Sequence, residues 1–134
     1  MNEEQARQYY ITLKTVKKNL SELNQAIADI DTQTAQIQES KHAINEYENI
    51  TAKSDLLVPI ADGIFIQASA VEDKYLRINV GAGAVVKKTP AQAQEMLQEQ
   101  HDELSKHREQ LLNQREQLKV QADDIQKKIA EEIQ

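Results

Sequence analysis

The sequence contains no cysteine and no tryptophan, and its 134 residues include only one phenylalanine and four tyrosines. Without cysteine the chain can form neither a disulfide framework nor a zinc site built on thiolates. Its aromatic content of 4% is too low for the core of an ordinary globular domain, whereas 28% charged residues suit long, solvated helices. The length of the chain corresponds to a single domain.

Segments that would direct the chain to a membrane are also missing. No apolar run approaches the roughly 20 residues that a membrane-spanning helix needs. The N-terminal residues MNEEQARQYY are acidic and have no apolar core, so we do not expect them to form a signal peptide. The net charge of −6 argues against binding to a phosphate backbone, which requires clustered lysine and arginine. We therefore expect a cytoplasmic protein that binds neither membranes nor nucleic acid.

Glycine and proline are scarce, and all of them lie between residues 59 and 90, at Pro59, Gly63, Gly81, Gly83 and Pro90. In the segment before this window, apolar residues advance by alternating steps of three and four. The positions are Ala6, Tyr9, Leu13, Val16, Leu20, Leu23, Ile27, Ile30, Thr34, Ile37, Lys41 and Ile44. Ten of these twelve are apolar. This spacing is typical of a coiled coil and predicts a helix from about residue 3 to 52, which needs a partner helix to bury its stripe.

The segment after the window supplies that partner. Five apolar residues recur there every seven positions, at Leu97, Leu104, Leu111, Leu118 and Ile125. The companion series is mostly polar, and we expect Arg108 and Arg115 to lay their stems along the seam with their heads in water. Thr89, Pro90 and Gln92 form a capping box at the start of this helix. We expect the two helices to be antiparallel, with residues 1–14 and 122–134 together at one end.

In the central window the apolar residues recur every two positions instead of every 3.5. The segment YLRINV alternates apolar and polar residues, and GIFIQASAV and AVVKK are β-branched runs of strand length. We predict four short strands, at about 56–60, 63–71, 75–80 and 84–88, which form two β-hairpins.

No catalytic, metal or cofactor site is predicted. Gly81-Ala82-Gly83 lacks the third glycine of a dinucleotide loop and leads into a strand, so we interpret it as a hairpin turn. The three histidines, His42, His101 and His107, have no spacing that suits a metal. Because no nucleophile motif is present either, we expect that the protein is not an enzyme and needs no cofactor.

A few apolar residues lie outside the helical seam near the predicted free ends, namely Tyr10, Ile11 and Ile133. Scattered apolar residues are common on protein surfaces and need no function. The alternative is that these side chains form a surface for a partner.

The order of helix, "LLVPIADGIFIQA", "LRINVGAGAVVKKTPAQA" and helix resembles prefoldin, specifically an alpha-class subunit of the archaeal type. Two hairpins match the alpha class, whereas beta-class subunits have one. The sequence departs from the family at Asp62, where a small residue, usually glycine, is expected. The resemblance covers the whole chain. It implies one domain with a coiled-coil helix at 1–53, two hairpins at 54–89 and a second helix at 90–134.

The resemblance implies an ATP-independent chaperone that captures unfolded proteins at coiled-coil tips and passes them to a group II chaperonin. In the family, two alpha and four beta subunits join their hairpins into a double β-barrel platform. The residues that would bind clients are Tyr9, Tyr10, Ile11, Leu13, Ile125, Ile129 and Ile133. Those that would form the platform are Val58, Ile60, Ile64, Ile66, Leu76, Ile78, Val80, Gly81, Gly83 and Val85.

The sequence leaves one alternative function open, a coiled-coil scaffold or prefoldin-like subunit that bridges stable partners and holds no clients. A scaffold should bind one folded partner stoichiometrically, whereas a chaperone of this kind should bind many unfolded chains. A helical-hairpin polymerase factor fits less well, because such proteins place acidic residues in a tight turn where this chain has strands.

Overall fold

The structure is a computed structural model that describes residues 2–133, with side chains for residues 2–132. Its elements are α1 (Glu3–Glu48), β1 (Asp55–Ala61), β2 (Ile64–Ser69), β3 (Leu76–Gly81), β4 (Ala84–Lys88) and α2 (Pro90–Ile133). Strands β1 and β2 form one antiparallel pair and β3 and β4 another, which confirms the predicted fold of two long helices and two hairpins. The chain divides into two compact units. One contains the residues up to Ala35 and those from Asp102 onward, and the other is Gln36–His101.

The first unit is a pair of helices with an apolar seam. Its core is Ile27, Ile30 and Leu111, against which Leu23, Ala26, Leu104 and Leu112 pack. Val16, Ala122 and Ile125 are also buried. The seam therefore follows the predicted heptad positions and is widened by Ala26 and Leu112, which those series did not include.

Polar residues of α2 bind across this seam. The Nε of Arg108 donates to Oδ1 of Asp31 at 2.7 Å, and the Nη1 of Arg115 donates to Oδ1 of Asn24 at 3.2 Å. Each arginine head therefore has an acceptor on α1, which the spacing did not predict, and the Arg108 pair stays partly exposed to water, as expected. These contacts link the polar series of α2 to polar positions seven residues apart on α1.

Helix α1 ends at Glu48, four residues earlier than predicted. The amides of Asn49 and Ile50 donate to carbonyls three residues back, at 3.1 and 3.2 Å, which tightens the last turn. Lys53 then takes a left-handed conformation, with φ of 68°, and its amide donates to the carbonyl of Ala70 at 2.7 Å. No glycine or proline marks this turn in the sequence, so the helical pattern alone overestimated the length of α1.

Helix α2 begins as predicted. The amide of Gln92 donates to Oγ1 of Thr89 at 3.1 Å, and the amide of Thr89 donates to Oε1 of Gln92 at 3.0 Å. Pro90, which has no amide hydrogen to satisfy, is the first residue of the helix. The capping box is therefore confirmed, with each residue satisfying the exposed amide of the other.

Both hairpins close through turns of two residues. Ala82 and Gly83 have φ of 51° and 75°, and positive φ at both central residues is the signature of a type I′ turn. In the first hairpin only Gly63 has a positive φ, 72°, so Asp62 is accommodated without strain despite its departure from the family pattern. The structure thus confirms that Gly81–Gly83 forms a turn between strands.

Candidate functional site

The first hairpin, Asp55–Ser69, exposes apolar side chains on both of its faces. Val58 lies opposite Ile66 on one face, and Leu57 and Phe65 point to the other face. All four are exposed, Leu57 to 72%. The outer edges of both strands are unpaired as well, because the sheet has only two strands. An open apolar edge of this kind is able to pair with a strand of another chain.

A bulge shapes the end of the first hairpin. Pro59 pairs with Phe65 and Ala61 pairs with Ile64, so Ile60 is an extra residue on β1. Proline has no amide hydrogen for the ladder, and a bulge on an edge strand is one of the few strand positions that suit it. The bulge leaves Ile60 exposed at the turn end of the hairpin.

The second hairpin, Leu76–Lys88, has two unlike faces. On one face Ile78 lies opposite Val86 and Leu76 lies opposite Lys88, and all four are half-buried. The other face is exposed and has Arg77 directly opposite Lys87. This hairpin therefore has one half-buried, mainly apolar face and one exposed face, on which the basic pair lies beside Val85.

Most of the predicted assembly residues lie on these exposed surfaces. The exposed ones are Val58, Ile60, Ile64, Ile66, Val80, Gly81, Gly83 and Val85, whereas Leu76 and Ile78 are half-buried. Sequence reasoning missed Leu57 and Phe65, because it selected a single face of each alternating strand. The signal was present, since the run LLVPIADGIFI is apolar at successive positions, as in strands that become buried on both faces.

The segment between the hairpins is fixed by Lys74. Its Nζ donates to the carbonyl of Tyr47 at 3.2 Å and to that of Ile50, and it lies 4.7 Å from the centroid of the Tyr47 ring. The ammonium group thus occupies the C-terminal end of α1, where the helix dipole and the free carbonyls favour a cation. Nothing in the sequence pattern indicated this contact, because the residues it joins are 24 and 27 positions apart.

The predicted client-binding residues differ in accessibility. Tyr10 is 69% exposed and Ile11 is also exposed, whereas Tyr9, Leu13 and Ile129 are half-buried. Ile125 is only 8% exposed, so it becomes available only if the two helices separate. The side chain of Ile133 lies outside the described residues.

A groove of about 450 Å³ brings two of these residues together in the first unit, which we call the helical unit. Its lining is Tyr9, Thr12, Gln117, Val120, Gln121, Asp124, Ile125 and Lys128. Val120 is apolar and exposed, and sequence reasoning missed it because it is outside the heptad series of α2. Tyr10 and Ile11 do not line this groove. We call Tyr9, Tyr10, Ile11 and Val120 the distal apolar residues.

The described residues show no arrangement suited to metal chemistry. Among residues 2–133 no three histidine, aspartate or glutamate side chains are grouped so that they could hold a metal ion. The Nε2 of His42 instead lies 3.0 Å from Oε1 of Glu46, one turn further along α1. Neither described helix combines the length and apolar character that crossing a membrane requires.

Comparisons with known proteins agree on one family. A family model described as Prefoldin subunit matches residues 16–134. Prefoldin subunit alpha of Methanococcoides burtonii is 24% identical over 105 residues, which are 78% of this chain and 76% of that protein. Prefoldin subunit alpha of Methanococcus aeolicus is 31% identical over 86 residues, 64% of this chain and 56% of that one. A filamentous PFD from Methanocaldococcus jannaschii, solved by cryo-EM, has the same fold with a TM-score of 0.76 and 14% identity, over 85% of this chain and 94% of that chain.

Proposed function

Because the chain belongs to the prefoldin family, we propose that it is the alpha-class subunit of a hexameric, ATP-independent chaperone that holds unfolded proteins for a group II chaperonin. The resemblance to alpha-class subunits, first seen in the hairpin segments, is confirmed by the similarity to two proteins of that name. Membership of the family makes this a chaperone-type subunit. The capture of clients, their transfer and the composition of the complex are what we propose.

The observation that carries the proposal is the exposure of the first hairpin. Its large apolar residues are exposed on two faces of a two-stranded sheet whose outer edges are open. Closure of such strands into a barrel with other subunits removes the edges and buries both faces. We propose that residues 54–89 form this platform with beta-class subunits, two alpha chains and four beta chains in each complex.

Client binding is assigned to the distal apolar residues together with Leu13, Ile125, Ile129 and Ile133. Tyr10 and Ile11 are exposed without any movement, and Val120 is an exposed apolar residue of α2 that lines the same groove as Tyr9. Each such contact is weak by itself, so useful affinity requires several subunits to hold one client at the same time. This mode of binding needs no sequence motif in the client, and release needs no nucleotide.

A light-scattering assay tests the proposal. The chain is assembled with a prefoldin beta subunit, and a chemically unfolded, aggregation-prone protein is diluted into the complex without ATP. We expect scattering to be suppressed at near-stoichiometric complex. A complex that assembles and leaves scattering unchanged would contradict the chaperone and favour a scaffold that binds one folded partner.

Two variants locate the client surface. Replacement of Tyr10, Ile11 and Val120 by serine should weaken suppression and leave assembly intact, because all three side chains are exposed in the helical unit. The control replaces Gln33, Gln110 and Asn113 by serine, since these are exposed polar residues of the same two helices and the change removes no apolar side chain. Deletion of residues 1–12 and 122–134 should abolish suppression. If holding persists after the deletion, the client surface lies elsewhere.

A further inference from the structure

One side of α1 is basic in a chain that is acidic overall. Residues 5–21 contain four cationic side chains and neither aspartate nor glutamate, which gives this segment a formal charge of +4. The whole chain has a net charge of −6, so the segment is a local exception. The cationic residues are all exposed, and they are Arg7, Lys14, Lys17 and Lys18.

Two exposed apolar residues lie among these cations. Tyr10 is 69% exposed and Ile11 is 53% exposed. Because each residue of an α-helix is rotated by about 100° from the one before, all six side chains fall within an arc of about 120°. Val16, which belongs to the seam, lies outside this arc and is buried. We call the six residues the basic face of α1, and it extends for about 17 Å along the helix from Arg7 to Lys18.

The cations of the basic face have no partners within the chain. Among the described residues, none of the four makes a side-chain hydrogen bond or an ion pair. Lys14 has Lys17 and Lys18 as its neighbours one turn further along, and like charges at this spacing destabilise a helix. The arrangement is therefore unfavourable in the free chain and becomes favourable when carboxylates are brought to it.

We propose that the basic face binds segments of unfolded clients in which carboxylates lie beside apolar residues. The inference rests on the proposed function, because it names the class of client that this subunit prefers. The lysines would pair with the carboxylates, and Tyr10 and Ile11 would contact the apolar side chains. About five residues of an extended segment, at roughly 3.3 Å each, span the basic face. Charge complementarity of this kind adds selectivity and speeds association.

Two other classes of ligand fit the basic face less well. A helix that lies on a membrane needs a broad apolar face to bury in the bilayer, and α1 packs its own apolar face against α2 in the seam. A nucleic acid is repelled by the net charge of −6, and tight binding to its phosphates requires more cations than the four present here. An acidic, partly apolar polypeptide matches both kinds of side chain on this face.

The test is the binding of labelled, disordered peptides to the purified full chain, measured by fluorescence anisotropy. Three peptides have the same leucines and differ only in having glutamate, glutamine or lysine at their polar positions. In about 0.05 M salt we expect the glutamate peptide to bind about tenfold more tightly than the glutamine peptide. The lysine peptide should bind most weakly. The preference should shrink as added salt screens these exposed charges.

Variants assign the preference to the basic face. Replacement of Lys14, Lys17 and Lys18 by glutamine should remove the tenfold preference and leave binding of the glutamine peptide unchanged. The matched control makes the same change in net charge at three exposed lysines elsewhere, Lys53, Lys106 and Lys119, and should keep the preference. Ile11→Ser should weaken binding of the glutamate and glutamine peptides by the same factor. Since all these side chains are exposed, the variants should stay folded, which circular dichroism checks.

Two results of the peptide assay would overturn the inference. Equal affinity for the glutamate and glutamine peptides would mean that charge does not select the ligand, and loss of the preference in the control variant would mean that net charge acts without the basic face. Tighter binding of an oligonucleotide, or of a folded acidic protein, than of the glutamate peptide would assign the basic face to a different partner.

The light-scattering assay with the beta subunit separates this inference from the proposed function. Equal suppression for acidic and basic unfolded clients would contradict the inference and leave the proposed function intact. Unchanged scattering for every client, together with a preference for the glutamate peptide, would contradict the proposed function and show that the acidic ligand of the basic face is not a client.

Discussion

The helical unit buries its apolar residues, whereas the first hairpin exposes them. In the helical unit Ile27, Ile30 and Leu111 are buried against residues of the same chain. In the first hairpin Leu57, Ile60 and Phe65 are exposed, although they are as apolar as the residues of the seam. Because burial of such side chains is the main source of stability, the helices are complete within one chain and the hairpins are not.

This contrast separates two roles of the same kind of residue. An apolar side chain in the seam stabilises the fold of the chain, and we propose that one in a hairpin stabilises contact with a partner. A substitution should therefore affect folding or assembly according to its unit, even when the chemical change is the same.

The largest expected effect on stability comes from shortening a buried side chain of the seam. Leu111→Ala should lower the free energy of unfolding of the chain by about 3 kcal/mol, because a buried leucine is replaced by a cavity. Leu57→Ala, its control in the first hairpin, should change that free energy by less than about 0.5 kcal/mol and should instead weaken assembly. Urea denaturation followed by circular dichroism measures the first quantity. Similar losses from both substitutions would remove the distinction between the units.

A smaller effect is expected for the polar contact between Lys74 and the end of α1, in the second unit. Lys74→Met keeps the length of the side chain and removes the ammonium group that binds the carbonyls of Tyr47 and Ile50. We expect a loss of about 1.5 kcal/mol in the free energy of unfolding. Lys53→Met makes the same chemical change at an exposed lysine, and it should have little effect. Equal results for the two lysines would show that the contact does not stabilise this unit.

The capping box at the start of α2 should contribute slightly less. Thr89→Ala removes the hydroxyl that accepts the amide of Gln92 and should cost about 1 kcal/mol. Thr89→Ser keeps the hydroxyl and should remain within a few tenths of the wild-type value. The comparison is made by thermal unfolding of the two variants under identical conditions. A serine variant as unstable as the alanine variant would mean that the methyl group, and not the cap, is responsible.

The smallest effect is expected for the ion pair across the seam. Asp31 and Arg108 are 53% and 41% exposed, so solvent screens their attraction. A double-mutant cycle with Asp31→Asn and Arg108→Gln should give a coupling energy of about 0.5 kcal/mol that decreases at high salt. A coupling that is unaffected by salt would show that the contact acts by packing.

Local patterns predicted the elements well, because they depend on neighbouring residues. The seven-residue repeat through Leu111 predicted the position of the seam, and the alternation through Ile78 predicted β3. Thr89 and Gln92 predicted the start of α2. The end of α1 was predicted too late, since the chain turns at Lys53 without the glycine that usually signals such a turn.

Contacts between distant residues were not predicted. The sequence pattern gives the face of α2 on which Arg108 lies, but the acceptor at Asp31 depends on the register between two helices. The same is true of Lys74 and the carbonyls at the end of α1. The role of each predicted binding residue remains a prediction. Ile125 illustrates why, because the same apolar character that makes it a candidate for client binding also buries it in the seam.

The two helices are joined to the strands in different ways. Only Thr89 lies between β4 and α2, and both its amide and its hydroxyl are held by Gln92. Six residues, 49–54, lie between α1 and β1, and this segment is tied to Ala70 and Lys74, which follow β2. We expect slower amide hydrogen exchange at Ala93, in the first turn of α2, than at Asn49 and Ile50. In mechanical terms, a pull on α2 is transmitted directly along the backbone into β4, whereas a pull on α1 is also carried by hydrogen bonds into the segment between the hairpins.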